Sequence, residues 1–189
     1  MTFGRRPLVR LALPALVAAC SSPEPVLYSI PMKPGPVLTG GPGVVLLHDI
    51  GLAGYLDRKE IVRSSEAYRL GVMSNDWWGE SLATMLSRVL VLGLSQRLPA
   101  SRIYAEGGAI SADPNAVLAV NIQRLDLDSS GELELLAQAA VEFNRPTRSA
   151  ARSFHIVKHP PTSNVAGQVA AISDAVAELT DGLASLLTS

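Results

Sequence analysis

The sequence contains one cysteine, Cys20, among 189 residues. A single thiol cannot form an intramolecular disulfide, and a metal site built from several thiolates is excluded for the same reason. Aromatic residues make up 5% of the chain, and the formal net charge is −1 without a long run of charges of one sign. Nucleic-acid binding, which uses a basic patch interleaved with aromatic side chains, is therefore not expected.

Long hydrophobic runs are also missing. The apolar stretch over residues 11–19 is interrupted by Pro14 and falls short of the ~20 residues that cross ~30 Å of hydrocarbon. Three arginines precede it, at positions 5, 6 and 10, and two alanines stand directly before Cys20. This order is typical of a secretory signal that ends in a lipobox. We predict a lipoprotein signal peptide over residues 1–19 and acylation of Cys20 by diacylglycerol and a further acyl chain such as palmitate.

The predicted acyl chains determine where the chain resides. Each buried methylene contributes about 0.8 kcal/mol, so several chains anchor a protein firmly. Ser21, rather than aspartate, follows the cysteine, which favours the periplasmic face of the outer membrane. The alternative is ordinary signal-peptide cleavage after Ala19, which would leave a soluble periplasmic protein with a free thiol. The covalent lipid on Cys20 is the one non-protein group expected, and no cofactor is predicted.

Proline and glycine divide the mature chain into two parts. Residues 20–43 carry six prolines and four glycines, a composition that disfavours helices and complete strand ladders. We predict a flexible, acylated tether over 20–43, with a short edge strand near residues 26–30, and one folded domain over 44–189.

Short apolar runs between turn residues, and alternating apolar and polar residues, predict the strands of this domain. They fall at residues 44–50, 61–63, 68–73, 102–104, 116–128, 132–143 and 151–158. The apolar phase changes near Arg124, which predicts a β-bulge there.

Two stretches have helical periodicity. The first is predicted to start at an Asn75 or Asp76 cap and to run over 77–98; the second follows Ser163 or Asn164 and carries an apolar seam that we expect to pack on the sheet rather than on a partner helix. The expected fold is α+β, a two-layer sandwich of a mostly antiparallel sheet with two long helices on one face.

No residue pattern with catalytic or metal-binding spacing is found. The sequence has three histidines, and His155 and His159 would lie about 13 Å apart along an extended strand, too far to share one ion. Motifs for nucleophilic catalysis, zinc hydrolysis and phosphate binding are absent from the sequence, so the chain is not expected to be an enzyme.

Two adjacent tryptophans, Trp77 and Trp78, point to a contact surface. Two adjacent residues of a helix point in different directions, so a helix face that buries one of them turns the other away from the core. Trp78 is predicted to lie in the core, and Trp77 either covers a loop or lies on a surface for a partner, where aromatics and arginine are enriched. The candidate partner-binding residues are Tyr55, Asp57, Arg58, Arg63 and Trp77.

These segments resemble the auxiliary lipoprotein family of ABC-type lipid transporters, the PqiC-like or YmbA-like proteins that accompany MCE-domain proteins. The resemblance rests on the lipobox and on residues 28–30, 55–58, 61–63, 78–82 and 88–90. It implies an outer-membrane adaptor without enzymatic activity, which docks an MCE-type conduit for lipid and supports envelope integrity. It also implies that copies of the chain can form an oligomer.

Two other functions stay open at this point. One is a periplasmic lipid-binding carrier, which would need an apolar cavity. The other is an envelope-assembly lipoprotein of the kind that activates cell-wall synthesis. Phospholipid that co-purifies with the chain would indicate a carrier, whereas adjoining genes for a permease, an ATPase and an MCE protein would indicate the adaptor.

Overall fold

The computed structural model describes residues 23–65, 68–108, 112–144 and 146–189. The predicted signal peptide, residues 1–19, and the predicted acylation site Cys20 lie outside the described residues. Within these ranges, no helix combines the length and apolarity that a membrane crossing requires.

The described chain forms nine strands and two helices. The strands are β1 (Val26–Tyr28), β2 (Val44–Leu47), β3 (Gly51–Leu52), β4 (Glu60–Ser64), β5 (Gly71–Trp78), β6 (Arg102–Ala105), β7 (Ala116–Leu127), β8 (Leu133–Asn144) and β9 (Thr147–Lys158). The helices are α1 (Leu82–Arg97) and α2 (Val165–Thr188).

Strand β7 organises the single sheet. On one side it pairs antiparallel with β8 along its whole length, and β8 pairs antiparallel with β9. On its other side it pairs in parallel with three shorter strands in turn, β2, β3 and β4. The sheet continues from β2 to β6, and from β4 through β5 to β1. Strands β1 and β9 therefore lie at opposite edges.

The long strands confirm the predicted alternation. Every second residue of β8, from Leu133 to Phe143, is buried, while the residues between them are half-buried or exposed. The register between β7 and β8 shifts between Ile122 and Arg124, which confirms the predicted bulge. The helices cover the inner face, so the α+β sandwich is confirmed.

Helix α2 packs its apolar seam as predicted. Asn164 caps it by accepting a hydrogen bond from the Gly167 amide at 2.8 Å. The seam is buried throughout; its members are Val165, Val169, Ile172, Val176, Leu179, Leu183 and Leu186. The helix contacts β8, β9 and α1. At Gly182 it approaches Phe154 so closely that an added Cβ would lie 2.4 Å from the phenyl ring.

The start of the first helix was predicted wrongly. The helix begins at Leu82 after the Ser81 cap, and the two tryptophans end strand β5 instead. Pairing with β1 and β4 holds this stretch extended, and Asp76 accepts a hydrogen bond from the Tyr28 hydroxyl rather than capping a helix. The predicted separation of the tryptophans holds, because successive strand residues point to opposite faces.

The described part of the segment predicted as a flexible tether lies on the domain. Strand β1 pairs with β5, and Ile30 is fully buried. Further along, the Gly35 amide donates to Gln96 at 2.9 Å, and the Leu38 amide donates to the Arg97 carbonyl at 2.7 Å. Proline and glycine leave this segment without a helix, but several of its backbone groups have hydrogen-bond partners on β5 and α1.

Candidate interaction surface

The loop of residues 53–59 connects β3 to β4 and carries three of the predicted partner-binding residues, Tyr55, Asp57 and Arg58. It is fixed at both ends. Leu56 is buried, and the Lys59 carbonyl accepts a hydrogen bond from the Trp78 amide at 2.8 Å. Asp57 and Arg58 lie between these anchors with exposed side chains. The loop therefore presents one anion and one cation to solvent from a defined backbone.

Tyr55, by contrast, points into the fold. Its hydroxyl donates a hydrogen bond of 2.7 Å to Asp126, a fully buried carboxylate on β7. Asp126 also receives a hydrogen bond from Arg124 at 3.0 Å. Burial and the neighbouring Asp126 raise the pKa of Tyr55 to about 12. Tyr55 therefore supports the loop by stabilising a buried charge.

We expect Tyr55→Phe to lower the free energy of unfolding by about 1.5–3 kcal/mol, the range for a hydrogen bond to a charged group. The wild-type hydroxyl also adds a pH dependence. Its pKa is raised from 10.0 to about 12, so the unfolded chain releases the proton first as pH rises. This contribution is intact below pH 10 and is lost between pH 10 and about 12.

Urea unfolding across this alkaline range measures the difference between wild type and variant. Tyr68→Phe is the matched control, because the Tyr68 side chain is fully exposed and its hydroxyl should contribute little. A Tyr55→Phe chain as stable as wild type at neutral pH would contradict the structural role of this hydrogen bond.

Arg63 also has a partner within the fold. On β4, its guanidinium donates to the Ser163 carbonyl at 2.6 Å and to Gln168 at 3.4 Å. Gln168, which is fully buried, donates in turn to the Val62 carbonyl at 2.8 Å. Arg63 thereby fastens the start of α2 to β4.

Trp77 lies on the outer face of the sheet at the end of β5. Its indole N–H donates to the Ser74 carbonyl at 3.0 Å, and the Lys59 ammonium lies 3.8 Å from the ring centroid. Its neighbour across the parallel pair is Leu27, whose side chain is 63% exposed. The cation covers one side of the ring and leaves the indole half-buried.

The structure therefore gathers Asp57, Arg58 and Trp77 into one region and adds two residues that the sequence analysis missed, Lys59 and Leu27. We call these five residues the Trp77 surface. Lys59 directly follows Arg58 in the sequence, so its position was a usable signal. Leu27 was not detectable, because its place beside Trp77 depends on a parallel pairing between strands that are distant in sequence.

Each of the three histidines contacts one glutamate side chain. His48 contacts Glu106 at 2.5 Å, His155 contacts Glu134 at 2.8 Å and His159 contacts Glu132 at 2.7 Å. Among the described residues, no group of three or more histidine, cysteine, aspartate or glutamate side chains is placed to hold a metal ion.

The outer face of β7, β8 and β9 carries a depression of about 650 Å³. Its floor is a row of small side chains in register across the three strands, Ala119, Ala140 and Ala151. Asp49 and Arg152 are part of its rim. The depression is open to solvent and lies opposite the helices, so it differs from the enclosed apolar cavity of a lipid carrier.

Solved structures share this fold. A crystal structure of an uncharacterized protein superposes with a TM-score of 0.72 at 16% identity, covering 86% of this chain and 98% of that one. A Xanthomonas campestris protein of family DUF330 gives a TM-score of 0.70 at 18% identity, covering 86% and 95%. A dodecameric PelC from Paraburkholderia phytofirmans aligns with a TM-score of 0.44 at 11% identity, covering 82% and 95%.

Curated proteins give no significant match to this chain. A family model, described as the ABC-type transport auxiliary lipoprotein component, matches residues 28–184. The matched range begins at Tyr28, the last residue of β1, and includes all of α1, α2 up to Ala184 and the Trp77 surface apart from Leu27. The chain belongs to the family of ABC-type transport auxiliary lipoprotein components.

Proposed function

We propose that this chain is the outer-membrane adaptor of an ABC-type lipid transport system. The observation that carries the proposal is the family match over residues 28–184, whose members are auxiliary components of transporters. The adaptor has no enzymatic activity: it holds a partner instead of transforming a substrate. The partner in this proposal is an MCE-domain protein, whose conduit would carry lipid between the two membranes and so support envelope integrity.

Acylation of Cys20 supplies the anchor in this proposal, and the covalent lipid is the one non-protein group. Ser21 directs the acylated chain to the periplasmic face of the outer membrane. An anchored domain meets a partner at a higher effective concentration than a free one, without any additional contact. Assembly of several copies around the conduit would multiply this effect.

The Trp77 surface is the proposed docking site. It contains a half-buried indole and an unpaired arginine, and tryptophan and arginine are among the residue types that dominate binding at protein interfaces. In the described part of the chain, the Arg58 side chain has no hydrogen bond or ion pair and is exposed, so a partner can bind its guanidinium without breaking a contact within the fold.

The first test is a pull-down from detergent-solubilised envelope with the acylated chain as bait. We expect an MCE-domain protein in the bound fraction, and Arg58→Ala or Trp77→Ala should reduce its recovery by about tenfold, as loss of ~1.4 kcal/mol at a hot spot does. Arg102→Ala is the matched control, because Arg102 is an exposed arginine on β6.

Two outcomes would contradict the adaptor. If no MCE-domain protein is recovered from envelope that contains one, the docking proposal fails. If native mass spectrometry finds about one phospholipid bound non-covalently per chain, the carrier function replaces it. Native mass spectrometry of the same sample also gives the number of copies in the assembly.

A further inference from the structure

Exposed apolar side chains occur on β1 and just before β5. Seven large hydrophobic residues of the described chain are exposed, and four of them lie in these two places: Val26, Leu27, Tyr68 and Leu70. Tyr68 and Leu70 flank Arg69, which is also exposed. We call residues 68–70 the hairpin tip, because they belong to the turn between β4 and β5.

The hairpin tip has an unusual backbone. Tyr68 has a φ of 62°, and among the described residues it is the one non-glycine residue with positive φ. A bulky side chain in this conformation is uncommon. The Tyr68 side chain is fully exposed, so burial among the described residues does not account for this strained backbone.

The chain arrives at β1 from the side of the hairpin tip. Strand β1 runs parallel to β5, with Val26 beside Asp76. One step earlier, Asn75 donates a hydrogen bond of 3.2 Å to the Glu24 carbonyl. The path from β1 back towards residue 23 therefore follows β5 towards its start at Gly71, directly after Leu70.

The distance to Cys20 fits this direction. Cys20 lies six residues before Val26, and Leu70 lies six residues before Asp76. An extended chain advances ~3.3–3.6 Å per residue, so six residues span about 20 Å. Cys20 can thus be at most about 20 Å from Val26. Strand β5 bulges against β4, so that Trp77 and Gly71 lie opposite Glu60 and Ser64 and the two ends of β5 are only about 13 Å apart, within this reach.

We infer that the hairpin tip, Tyr68, Arg69 and Leu70, contacts the surface of the phospholipid membrane that holds the acyl chains of Cys20. The inference rests on the acylation in the proposed function. Tyrosine suits the membrane–water interface, arginine pairs with phosphate and anionic headgroups, and leucine enters the boundary of the acyl chains.

This contact would fix the height of the Trp77 surface. Trp77 lies opposite Glu60 and Gly71 lies opposite Ser64, four residues apart on β4, so Trp77 is about 13 Å from the start of β5. With the hairpin tip on the membrane, β5 leads away from the lipid and presents Trp77 towards the periplasm, where a conduit protein would approach. The acyl anchor and the hairpin tip together would act as two contacts that orient the domain.

The test uses the single natural cysteine. Once Cys20 is acylated, a new cysteine is the unique thiol of the mature chain, so Tyr68→Cys and Leu70→Cys can each carry an environment-sensitive fluorescent label. Val157→Cys is the matched control: Val157 is 51% exposed and lies on β9, at the opposite edge of the sheet. The acylated chains are reconstituted into vesicles of phosphatidylethanolamine and phosphatidylglycerol, with and without brominated phospholipid.

We expect blue-shifted emission at positions 68 and 70, quenched by the brominated lipid, and neither effect at position 157. Equal quenching at all three positions, in chains that float with the vesicles, would overturn the contact and leave the tip free for a protein partner or a second copy. Intact mass and flotation are measured on the same samples. If intact mass shows that the expressed chain carries no acyl groups on Cys20, and the chain does not float with the vesicles, the predicted acylation is wrong and the inference fails with it.

Discussion

Arg97→Ala should destabilise the fold strongly. The Arg97 side chain is 1% exposed, and it donates to Asp181 and to the carbonyls of Lys33, Gly93 and Ala177. Removing one partner of a buried ion pair costs about 3–5 kcal/mol. We expect the lower end, about 3 kcal/mol, because the Asp181 side chain is 40% exposed and stays hydrated. Urea unfolding of the mature chain measures the loss.

The matched control is Arg88→Ala on the same helix. Arg88 pairs with Glu80 at 2.6 Å, but its side chain is 45% exposed, and exposed pairs contribute about 0–1 kcal/mol. Equal stability losses in the two variants would contradict the central role of Arg97.

Hydrogen exchange of the Arg97→Ala variant tests whether Arg97 holds the segment before β2 in place. Arg97 joins three parts of the chain: the segment before β2 through Lys33, helix α1 itself, and α2 through Asp181. Gly35 leaves room for this junction, since a Cβ there would lie 2.3 Å from both Arg97 and Asp181. Arg97→Ala should therefore speed exchange of the Gly35 and Leu38 amides, which α1 protects. Unchanged exchange at these amides would show that Arg97 does not hold the segment.

Local patterns were sufficient to predict the long strands. The alternation of β8 reports burial on one face and solvent on the other, and a short turn connects β8 to β7. Even the bulge at Arg124 was readable, because a bulge shifts the apolar phase. The seam of α2 was readable for the same reason: these elements bury one face each, and periodicity records that directly.

The segment before Val44 and the start of α1 depended on distant pairing instead. Trp77 and Trp78 fit the period of the following helix, yet parallel pairing with β1 holds them in a strand. The segment at 23–43 was predicted as a tether because of its prolines and glycines. Its contacts come from the pairing of β1 with β5, from the buried Ile30, from single backbone amides and from Arg97. Arg97 itself looked like an ordinary charge near a helix end, since sequence does not show which arginine will be buried.

The candidate site shows the same limit. Residues 55–58 were singled out for their aromatic and arginine side chains and for their resemblance to the family, and Asp57 and Arg58 are exposed. Whether a tyrosine or an arginine points outward depends on what lies across the fold. Tyr55 meets Asp126 from β7, and Arg63 meets Ser163 at the start of α2; both partners are distant in sequence, so neither contact could be predicted.

The two tryptophans provide the second large effect. Trp78→Ala should lower the free energy of unfolding by about 3–5 kcal/mol, the cost of truncating a buried aromatic side chain. Trp78 is 7% exposed and belongs to the apolar core between the sheet and the helices. Its backbone also joins β5 to the loop through the Lys59 carbonyl, but the alanine variant keeps that hydrogen bond, so the measured loss reports the side chain.

Trp77→Ala is the matched control one residue away. It removes a half-buried indole and its contact with Lys59, and an exposed cation–π pair contributes about 0.5–1 kcal/mol. We expect a stability loss of about 1 kcal/mol together with the weakened capture of the MCE-domain protein, measured by urea unfolding and pull-down on the same preparations. Trp78→Ala should lower recovery of the MCE-domain protein only in proportion to the fraction of chain that is unfolded. Trp77→Ala should lower this recovery although the domain stays folded. Equal destabilisation by both changes would refute this division between core and surface, because of the two tryptophans only Trp78 is buried.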